Sequence, residues 1–377
     1  MKSRVTIDAR WLVGGIGTYT RHLLDGLRGH GDGIEVHAIT RERHREVVEQ
    51  WCPRVTVVNI PIYTMREQWA IPQAAKGCDL LHAPHYNAPL LHRGPLLVSI
   101  LDIIHISDPS YRQSFKSWLY ARPMLNLAAR KAEHIVTLSE YSKTQIVERL
   151  GVPPSKVTTI YCGVNGQFRC TDRKKTYAAV SSALGIQEPY FLYVGNLKPH
   201  KNVSILLRAF ERLRTRHDIP HRLLIIGDDA RCKPALVEEC ARLGIEAATL
   251  FVPYVAPELL PNLYAGADLL VMPSRIEGFG LPVLEAMASG TPVVCSRAAS
   301  LPEVAGGAAL YFDPSSAEEL ADTIEKVLSS SDLQESLRTK GLERAKKFTW
   351  AESTRKHVEL YHRLLGMNRM LQMSTTV

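Results

Sequence analysis

The alternation of short β-branched runs with helix-length amphipathic segments is the feature that most constrains the fold of this sequence. The runs occupy residues 5–8, 35–39, 55–60, 80–83, 96–101, 134–138 and 157–161, and then 190–194, 222–226, 249–252, 268–272, 292–295 and 309–312. Strands separated by helices pair in parallel, with helices covering both faces of the sheet. The sequence therefore predicts an α/β protein with two doubly wound, Rossmann-like domains that face each other across a cleft.

The length of 377 residues suits two such domains. We expect an N-terminal domain over residues 1–168, on the acceptor side, and a Lys/Arg-rich linker over 169–187 that leads into a short helix. A C-terminal domain then spans 188–348. The final segment, 349–377, is expected to form a helix that packs back on the first domain.

Composition narrows the classes of partner. The formal net charge is +8, which favours an anionic partner, but the charge is spread along the chain without a basic tail, so no nucleic acid is expected. Seven scattered cysteines contain no Cys-x-x-Cys pair, and we expect neither disulfides nor a metal. Because no run of about 18 apolar residues occurs, we expect a cytoplasmic protein.

The most informative segment is the Gly-rich stretch 273–290, which follows the run 268–272. Its glycines would let backbone amides approach a diphosphate at a helix N-terminus. Glu285 is expected in the first helical turn, in reach of a ribose, and Glu277 is expected to face the transferred sugar. The alternative is that both acids are structural, one in a loop and one at a helix start. The amides in question belong to Gly278, Phe279, Gly280 and Leu281.

A second segment, 193–210, predicts a strand, a turn with Gly195 and Asn196, and a helix beginning near Asn202. Lys201 would stand just before that helix, where an ammonium can neutralise charge on a leaving phosphate. Lys198 and His200 are nearby candidates for the same role. The structural alternative is that Lys201 is an ordinary surface lysine.

Two segments of the first half add candidates. Gly15 and Gly17 follow the first strand and open a helix over about 18–27, but without the Gly-x-Gly-x-x-Gly spacing, so no dinucleotide cofactor is expected. These glycines are expected to touch the donor phosphate or the acceptor. Asp102, His105 and Asp108 lie past the run 96–101 and are candidates for orienting an acceptor hydroxyl. For His105 the alternative is a buried core histidine.

The pair Glu277 and Glu285, seven residues apart, resembles the Glu-x7-Glu signature of retaining GT-B glycosyltransferases, specifically the sucrose-synthase/mannosyltransferase type (glycosyltransferase family 4-like). Segments 137–143, 157–164, 194–202, 291–296, 301–304 and 311–314 match the same family in its order, so the resemblance covers nearly the whole chain. The chain departs from many relatives at Asn196, where they have arginine, and at Leu101, where they have histidine.

The resemblance implies that Glu285 binds the ribose, Glu277 the donor sugar, and Lys201 the diphosphate, with no metal or other cofactor. Transfer would retain the anomeric configuration by front-face attack. The donor expected first is GDP-mannose, and the acceptor is a glycan or a polyprenyl-diphosphate-linked glycan of polysaccharide assembly. The basic and aromatic stretch 111–131 suggests peripheral contact with an anionic membrane, at the inner face. An ordinary surface helix is the alternative there.

Three rival functions stay open at this point. The first is a nucleotide-sugar epimerase or a phosphorylase built on a similar plan. The second is a non-catalytic partner that binds a nucleotide-sugar or a glycan. The third is a dehydrogenase, against which the missing dinucleotide fingerprint already counts.

Overall fold

The structure, a computed structural model, describes residues 2–29, 33–107 and 115–366, and within them it leaves out the side chains of 105, 115–121 and 173–174. The chain divides into two compact units. The first unit comprises Met1–Gly163 and Trp350–Val377, and the second comprises Val164–Thr349. The last helix of the chain, Trp350–Leu364, thus belongs to the first unit.

The first unit is built on a seven-stranded parallel sheet in the order β3-β2-β1-β4-β5-β6-β7. Its strands are β1 (Ser3–Asp8), β2 (Ile34–Thr40), β3 (Val55–Val57), β4 (Leu80–Ala83), β5 (Leu96–Ser99), β6 (His134–Thr137) and β7 (Val157–Thr159). Its helices are α1 (Gly14–Leu27), α2 (Arg45–Glu49), α3 (Glu67–Ala74), α4 (Ile104–Ser107), α5 (Phe115–Lys131), α6 (Glu140–Leu150) and, from the end of the chain, α15 (Trp350–Leu364). In the central register, Val5 lies opposite Val36 on one side and Leu80 on the other.

The second unit is built on a six-stranded parallel sheet in the order β10-β9-β8-β11-β12-β13. Its strands are β8 (Tyr190–Val194), β9 (Arg222–Ile226), β10 (Thr249–Val252), β11 (Leu269–Met272), β12 (Val293–Ser296) and β13 (Leu310–Phe312). Its helices are α7 (Arg173–Leu184), α8 (Val203–Arg216), α9 (Lys233–Arg242), α10 (Leu260–Gly266), α11 (Leu281–Ala288), α12 (Leu301–Ala305), α13 (Ala317–Leu328) and α14 (Ser331–Ala345).

The predicted α/β fold is confirmed, since each predicted run overlaps a strand of one of the two sheets. Residues of β4, β5, β6, β11 and β12 are buried throughout, which explains why their sequences are mostly apolar. The helix predicted over 18–27 is longer, because α1 already begins at Gly14. There the Gly17 amide donates to the carbonyl of Val13, which adds a turn at the start. The predicted linker segment 169–187 carries α7.

Strand order reverses once in each sheet. In the first unit the reversal lies between β1 and β4, and in the second it lies between β8 and β11. At such a point, loops leave the carboxyl ends of two neighbouring strands in opposite directions, and the resulting crevice is where doubly wound sheets bind ligands. Each unit therefore has one topological switch point.

A buried hydrogen-bond network fixes α15 within the first unit. The Tyr19 hydroxyl bonds with Ser99 Oγ (2.9 Å) and with His357 Nε2 (2.7 Å). His82 bonds with Ser99 Oγ (2.8 Å) and with the Tyr361 hydroxyl (2.7 Å). Burial lowers the pKa of His357 to about 4, and burial together with His357 lowers the pKa of His82. Both rings are therefore neutral in the folded protein near neutral pH.

This network predicts acid lability of the first unit. An unfolded histidine binds a proton below its ordinary pKa of about 6.5, whereas folded His357 binds one only near pH 4. The stability that the neutral ring contributes is therefore present above pH 6.5 and lost as pH falls toward 4, by about 3 kcal/mol. Urea unfolding from pH 7.5 to 4.5 should show this slope, and His357→Gln should reduce it. His217→Gln, at an exposed site of the second unit, is the control; an unchanged slope in His357→Gln would contradict the assignment.

Candidate active site

The turn after β8 carries the lysine at the switch point of the second unit. A 3-10 turn, Pro199–Lys201, ends at Asn202, whose φ of 58° is left-handed. The Asn202 side-chain amide donates to the carbonyls of Pro273 (3.1 Å) and Pro314 (2.8 Å). Asn202 therefore holds together the loops that follow β8, β11 and β13. It also fixes the backbone position of the preceding residue, Lys201.

Two glycines let the backbones at this edge of the sheet touch. A Cβ on Gly227, just after β9, would lie 1.8 Å from the carbonyl oxygen of Gly195, just after β8. Gly227 also has a φ of 138°, which L side chains rarely adopt. Gly195 is thus part of a tight backbone contact, whatever its role toward a ligand.

The loop after β11 forms the other wall of the switch point. Ser300 Oγ donates to the carbonyls of Glu277 (3.1 Å) and Phe279 (2.9 Å), which fixes the Gly-rich stretch. Gly280 caps α11 with a φ of 106°, and a Cβ there would lie 2.8 Å from Leu301 Cδ2. Gly278, Phe279 and Gly280 are buried and Leu281 is half-buried. The predicted amides therefore lie at the N-terminal end of an eight-residue helix.

Lys201 and Glu277 form an ion pair across this switch point. The distance from Lys201 Nζ to Glu277 Oε1 is 2.6 Å, and the side chains are only 14% and 8% exposed. Ser274, fully buried, donates its hydroxyl to the same carboxylate oxygen at 2.8 Å. Each of these two buried charges is stabilised by the other, because an unpaired charge in this place would have a large desolvation cost. The structure thus brings together the two residues that the sequence placed on different loops.

Glu285 is the fifth residue of α11, so its prediction in the first helical turn was wrong. The helix already begins at Leu281, directly after the left-handed Gly280, so Glu285 falls in its second turn. The Tyr264 hydroxyl on α10 donates to Glu285 Oε2 at 2.7 Å. Burial raises the pKa of the Glu285 carboxyl to about 7, and the hydrogen bond from Tyr264 lowers it by less. Glu285 therefore changes its charge near neutral pH.

The other predicted residues have separate surroundings. Asn196 is exposed, and its side-chain oxygen accepts the amide of Lys198 at 3.2 Å. In the first unit, a Cβ on Gly17 would lie 2.2 Å from the Leu12 carbonyl carbon, whereas a Cβ on Gly15 would have no contact within 4 Å in the part of the chain that the structure describes. Gly17 is therefore required by packing, and Gly15 borders open space.

Two of the three acceptor candidates, Asp102 and His105, lie at the start of α4. The Asp102 carboxylate accepts the Ile104 amide at 3.1 Å, and this side chain is half-buried. His105 lies within α4, but its side chain is outside the described part of the structure, and so is Asp108. Their contact with an acceptor stays a prediction.

The proposed membrane segment falls partly outside the described residues, which resume at Phe115. In its described part, Arg122, Arg130 and Lys131 on α5 are exposed. No helix among the described residues is both long and apolar enough to cross a bilayer. Across the same residues, no three or more His, Cys, Asp or Glu side chains gather as metal ligands.

Comparison with known proteins decides the family. Residues 179–344 match the family described as Glycosyl transferases group 1, and residues 13–168 match Glycosyltransferase Family 4. The O-antigen chain mannosyltransferase B of Escherichia coli is 30% identical over 306 residues, which are 80% of this chain and 78% of that protein. The chain belongs to the group 1 glycosyltransferases.

The likeness extends over nearly the whole chain. An uncharacterized glycosyltransferase of Methanocaldococcus jannaschii is 25% identical over 373 residues, covering 93% of this chain and 94% of that protein. The crystal structure of HepE from Anabaena, in complex with UDP and glucose, has a TM-score of 0.79 at 21% identity and covers 96% of this chain and all of the other. The fold of this group 1 glycosyltransferase is therefore GT-B.

Several polar residues of the glycosyltransferase site were not predicted from the sequence. Ser274, Ser300 and Asn202 hold the loops, and Tyr264 holds Glu285. The sequence gives a weak indication for Ser274, because this serine follows Pro273 directly after a buried strand. Tyr264 carries none, since its partner lies 21 residues away on another helix.

The ion pair predicts a coupled loss of stability. Lys201→Met should lower the unfolding free energy of the second unit by about 2 kcal/mol, since it leaves the Glu277 carboxylate buried without its cation. The double variant, Lys201→Met with Glu277→Gln, should lose less unfolding free energy, because it also removes the uncompensated carboxylate charge. Lys340→Met, exposed on α14, should have no effect. Urea denaturation measures all three, and equal losses in the single and double variants would refute the coupling.

Proposed function

We propose that this glycosyltransferase moves a hexose from a nucleotide-sugar to a glycan or a polyprenyl-diphosphate-linked glycan. The observation that carries the proposal is the Lys201–Glu277 ion pair beside the buried amides of the α11 N-terminus. A cation and the N–H groups of a helix N-terminus at one switch point suit a diphosphate. A carboxylate within 2.6 Å of that cation suits the hydroxyls of an attached sugar.

Each residue has a distinct role in the proposal. Lys201 turns from Glu277 to the diphosphate oxygens, with the amides of Gly278 to Leu281 and of Asn196 nearby. Gly195, whose own amide donates to the Ile226 carbonyl, lies in the same turn as Asn196. Glu277, which keeps its hydrogen bond from Ser274, then accepts the hydroxyls of the donor sugar. Glu285, held by Tyr264 at one oxygen, accepts the ribose hydroxyls with its carboxylate.

The proposed chemistry is a transfer with retention and without a metal. The bond between the anomeric carbon and the diphosphate oxygen breaks, and the acceptor oxygen bonds to the same face of that carbon. The acceptor proton passes to the leaving diphosphate, whose charge Lys201 balances. Asp102 and His105 remain the candidates for orienting the acceptor hydroxyl. Activity that is unchanged by EDTA would support the metal-free step, and loss restored by Mg²⁺ would refute it.

GDP-mannose is the donor we propose first. Support comes from the Escherichia coli relative, which is named a mannosyltransferase of the O-antigen chain. The HepE structure holds UDP and glucose, so UDP-sugars form the second group to test. The same relative supports surface-polysaccharide assembly as the process. We further propose that the enzyme works in the cytoplasm, at the inner face of the membrane.

The first test is a thermal-shift screen with GDP, UDP, ADP and their sugar conjugates. A ligand that binds only the folded protein at a hundred times its Kd should raise the Tm by about 5 °C. Glu285→Ala and Lys201→Ala should abolish the shift given by the preferred base, whereas Lys340→Ala should keep it. No shift with any nucleotide at millimolar concentration would overturn the proposal. A shift without release of free nucleotide on any acceptor would favour the non-catalytic binding partner.

Glu285 makes nucleotide binding depend on pH. Its raised pKa of about 7 means that the carboxylate form, which accepts the ribose hydroxyls, is lost as pH falls through neutrality. The Kd of the nucleoside diphosphate should therefore rise about tenfold between pH 8 and pH 6. Tyr264→Phe removes a hydrogen bond that lowers the Glu285 pKa, so it should move the midpoint to higher pH. Calorimetry at each pH measures the Kd for the wild type and for Tyr264→Phe. The control is a 2′-deoxyribose analogue, whose Kd should vary less with pH.

A further inference from the structure

The switch point of the first unit holds a second built site, which the donor proposal does not use. Asp8 ends β1, Ala83 ends β4, and these two strands are neighbours in the sheet. The segments that follow them, with Arg10 and Trp11 after β1 and His85 after β4, line a small cavity of about 20 Å³. We call these residues and Asp8, with Tyr63 from the loop after β3, the β1–β4 site.

A buried arginine forms the floor of the β1–β4 site. Arg10 is only 3% exposed; its Nε and Nη2 donate to the two Asp8 oxygens at 2.8 Å each. Nη2 also donates to Glu67 Oε2 at 2.5 Å. The third nitrogen, Nη1, is buried and has no hydrogen-bond partner among the described residues. A buried donor of this kind is expected to meet an acceptor oxygen, and Arg10 lines the cavity.

Aromatic rings form the upper part of the β1–β4 site. The Trp11 indole stacks on the His85 ring with centroids 5.3 Å apart, and Tyr63 meets Trp11 edge-on at 5.5 Å. His85 Nδ1 accepts the Asn87 amide at 3.1 Å, so the neutral ring carries its hydrogen on Nε2. Trp11 and His85 are half-buried and Tyr63 is exposed. Apolar rings beside hydroxyl-binding groups are the combination that a pyranose, with its C–H faces and its hydroxyls, requires.

The charge of the β1–β4 site selects among ligands. The single guanidinium of Arg10 is already shared by the two carboxylates of Asp8 and Glu67. A phosphate group would place further negative charge beside two carboxylates in a poorly solvated place, which is unfavourable. A neutral hydroxyl can accept from Arg10 Nη1 and donate to a carboxylate, because it carries both functions.

We infer that the β1–β4 site binds an uncharged sugar ring of the acceptor, with the ring against Trp11 and a hydroxyl on the Arg10–Asp8 pair. This inference rests on the proposed function and adds to it. It assigns recognition of the acceptor glycan to its neutral sugar, and it requires no phosphate at this site. Asp8 and Arg10 bind the hydroxyl, and Trp11 and His85 set the orientation of the ring.

Saturation-transfer NMR on the full chain tests the inference without a known acceptor. The probes are methyl α-mannoside, methyl α-glucoside and mannose 6-phosphate at equal concentration, in the presence of the nucleoside diphosphate found by the thermal screen. A neutral methyl glycoside should receive saturation, and mannose 6-phosphate should receive several-fold less. Trp11→Ala should raise the Kd of the bound glycoside about tenfold, and Trp11→Phe should recover part of the affinity.

Matched controls separate this inference from others. Trp69→Ala removes an indole that is 60% exposed on α3 of the same unit but does not line the cavity, and it should leave glycoside binding unchanged. Trp11→Ala should keep the thermal shift with nucleotide, which shows that the chain is folded. Equal glycoside binding in Trp11→Ala and wild type, or stronger binding of mannose 6-phosphate, would overturn the inference.

Failure of the inference and failure of the proposed function give different results. If nucleotide binds but neither methyl glycoside does at tens of millimolar, the β1–β4 site is not a sugar site and the donor proposal stands. If a glycoside binds through Trp11 but no nucleotide binds, the sugar site stands and the transferase proposal fails.

Discussion

The reversal of strand order at the middle of each sheet is the constraint on which the rest of this structure depends. Parallel strands place all their carboxyl ends at one edge, and only at the reversal do successive loops turn away from each other. Lys201 follows β8 and Glu277 follows β11, the two strands at that point in the second unit. Their ion pair is therefore a consequence of topology, although 76 residues separate them along the chain.

The Lys201–Glu277 pair also explains how a cation can stand in a buried place before any ligand arrives. An ammonium alone among the buried loops would have a large desolvation cost, so a carboxylate neutralises it. In the function we propose, the donor replaces both partners, since its diphosphate binds Lys201 and its sugar hydroxyls bind Glu277. The hydrogen bond from Ser274 to the carboxylate limits how far Glu277 can move. Binding and positioning would thus use the same contacts.

The fold could be predicted from the sequence because strands that are buried on both faces have mostly apolar sequences. The ends of these apolar runs also located Lys201, Glu277 and the glycine loop at strand ends. What could not be predicted depends on long-range contacts or on single backbone angles. Asn202 donates to carbonyls 71 and 112 residues away along the chain. The residues next to it in the sequence do not indicate these contacts. The left-handed Gly280 ends the loop early enough for α11 to begin at Leu281, which puts Glu285 in the second turn.

Arg10 is the clearest case of chemistry that sequence alone conceals. As one of 46 Lys and Arg residues in a basic chain it suggests a solvated surface charge, yet it is buried between Asp8 and a glutamate 57 residues away. The two switch points therefore differ in charge, since Lys201 is paired with one carboxylate whereas Arg10 is shared by two. A balanced ion pair beside helix amides suits a charged donor. An arginine outnumbered by carboxylates beneath aromatic rings suits a neutral sugar. In the two proposals taken together, one topology, used twice, separates two substrates by electrostatics.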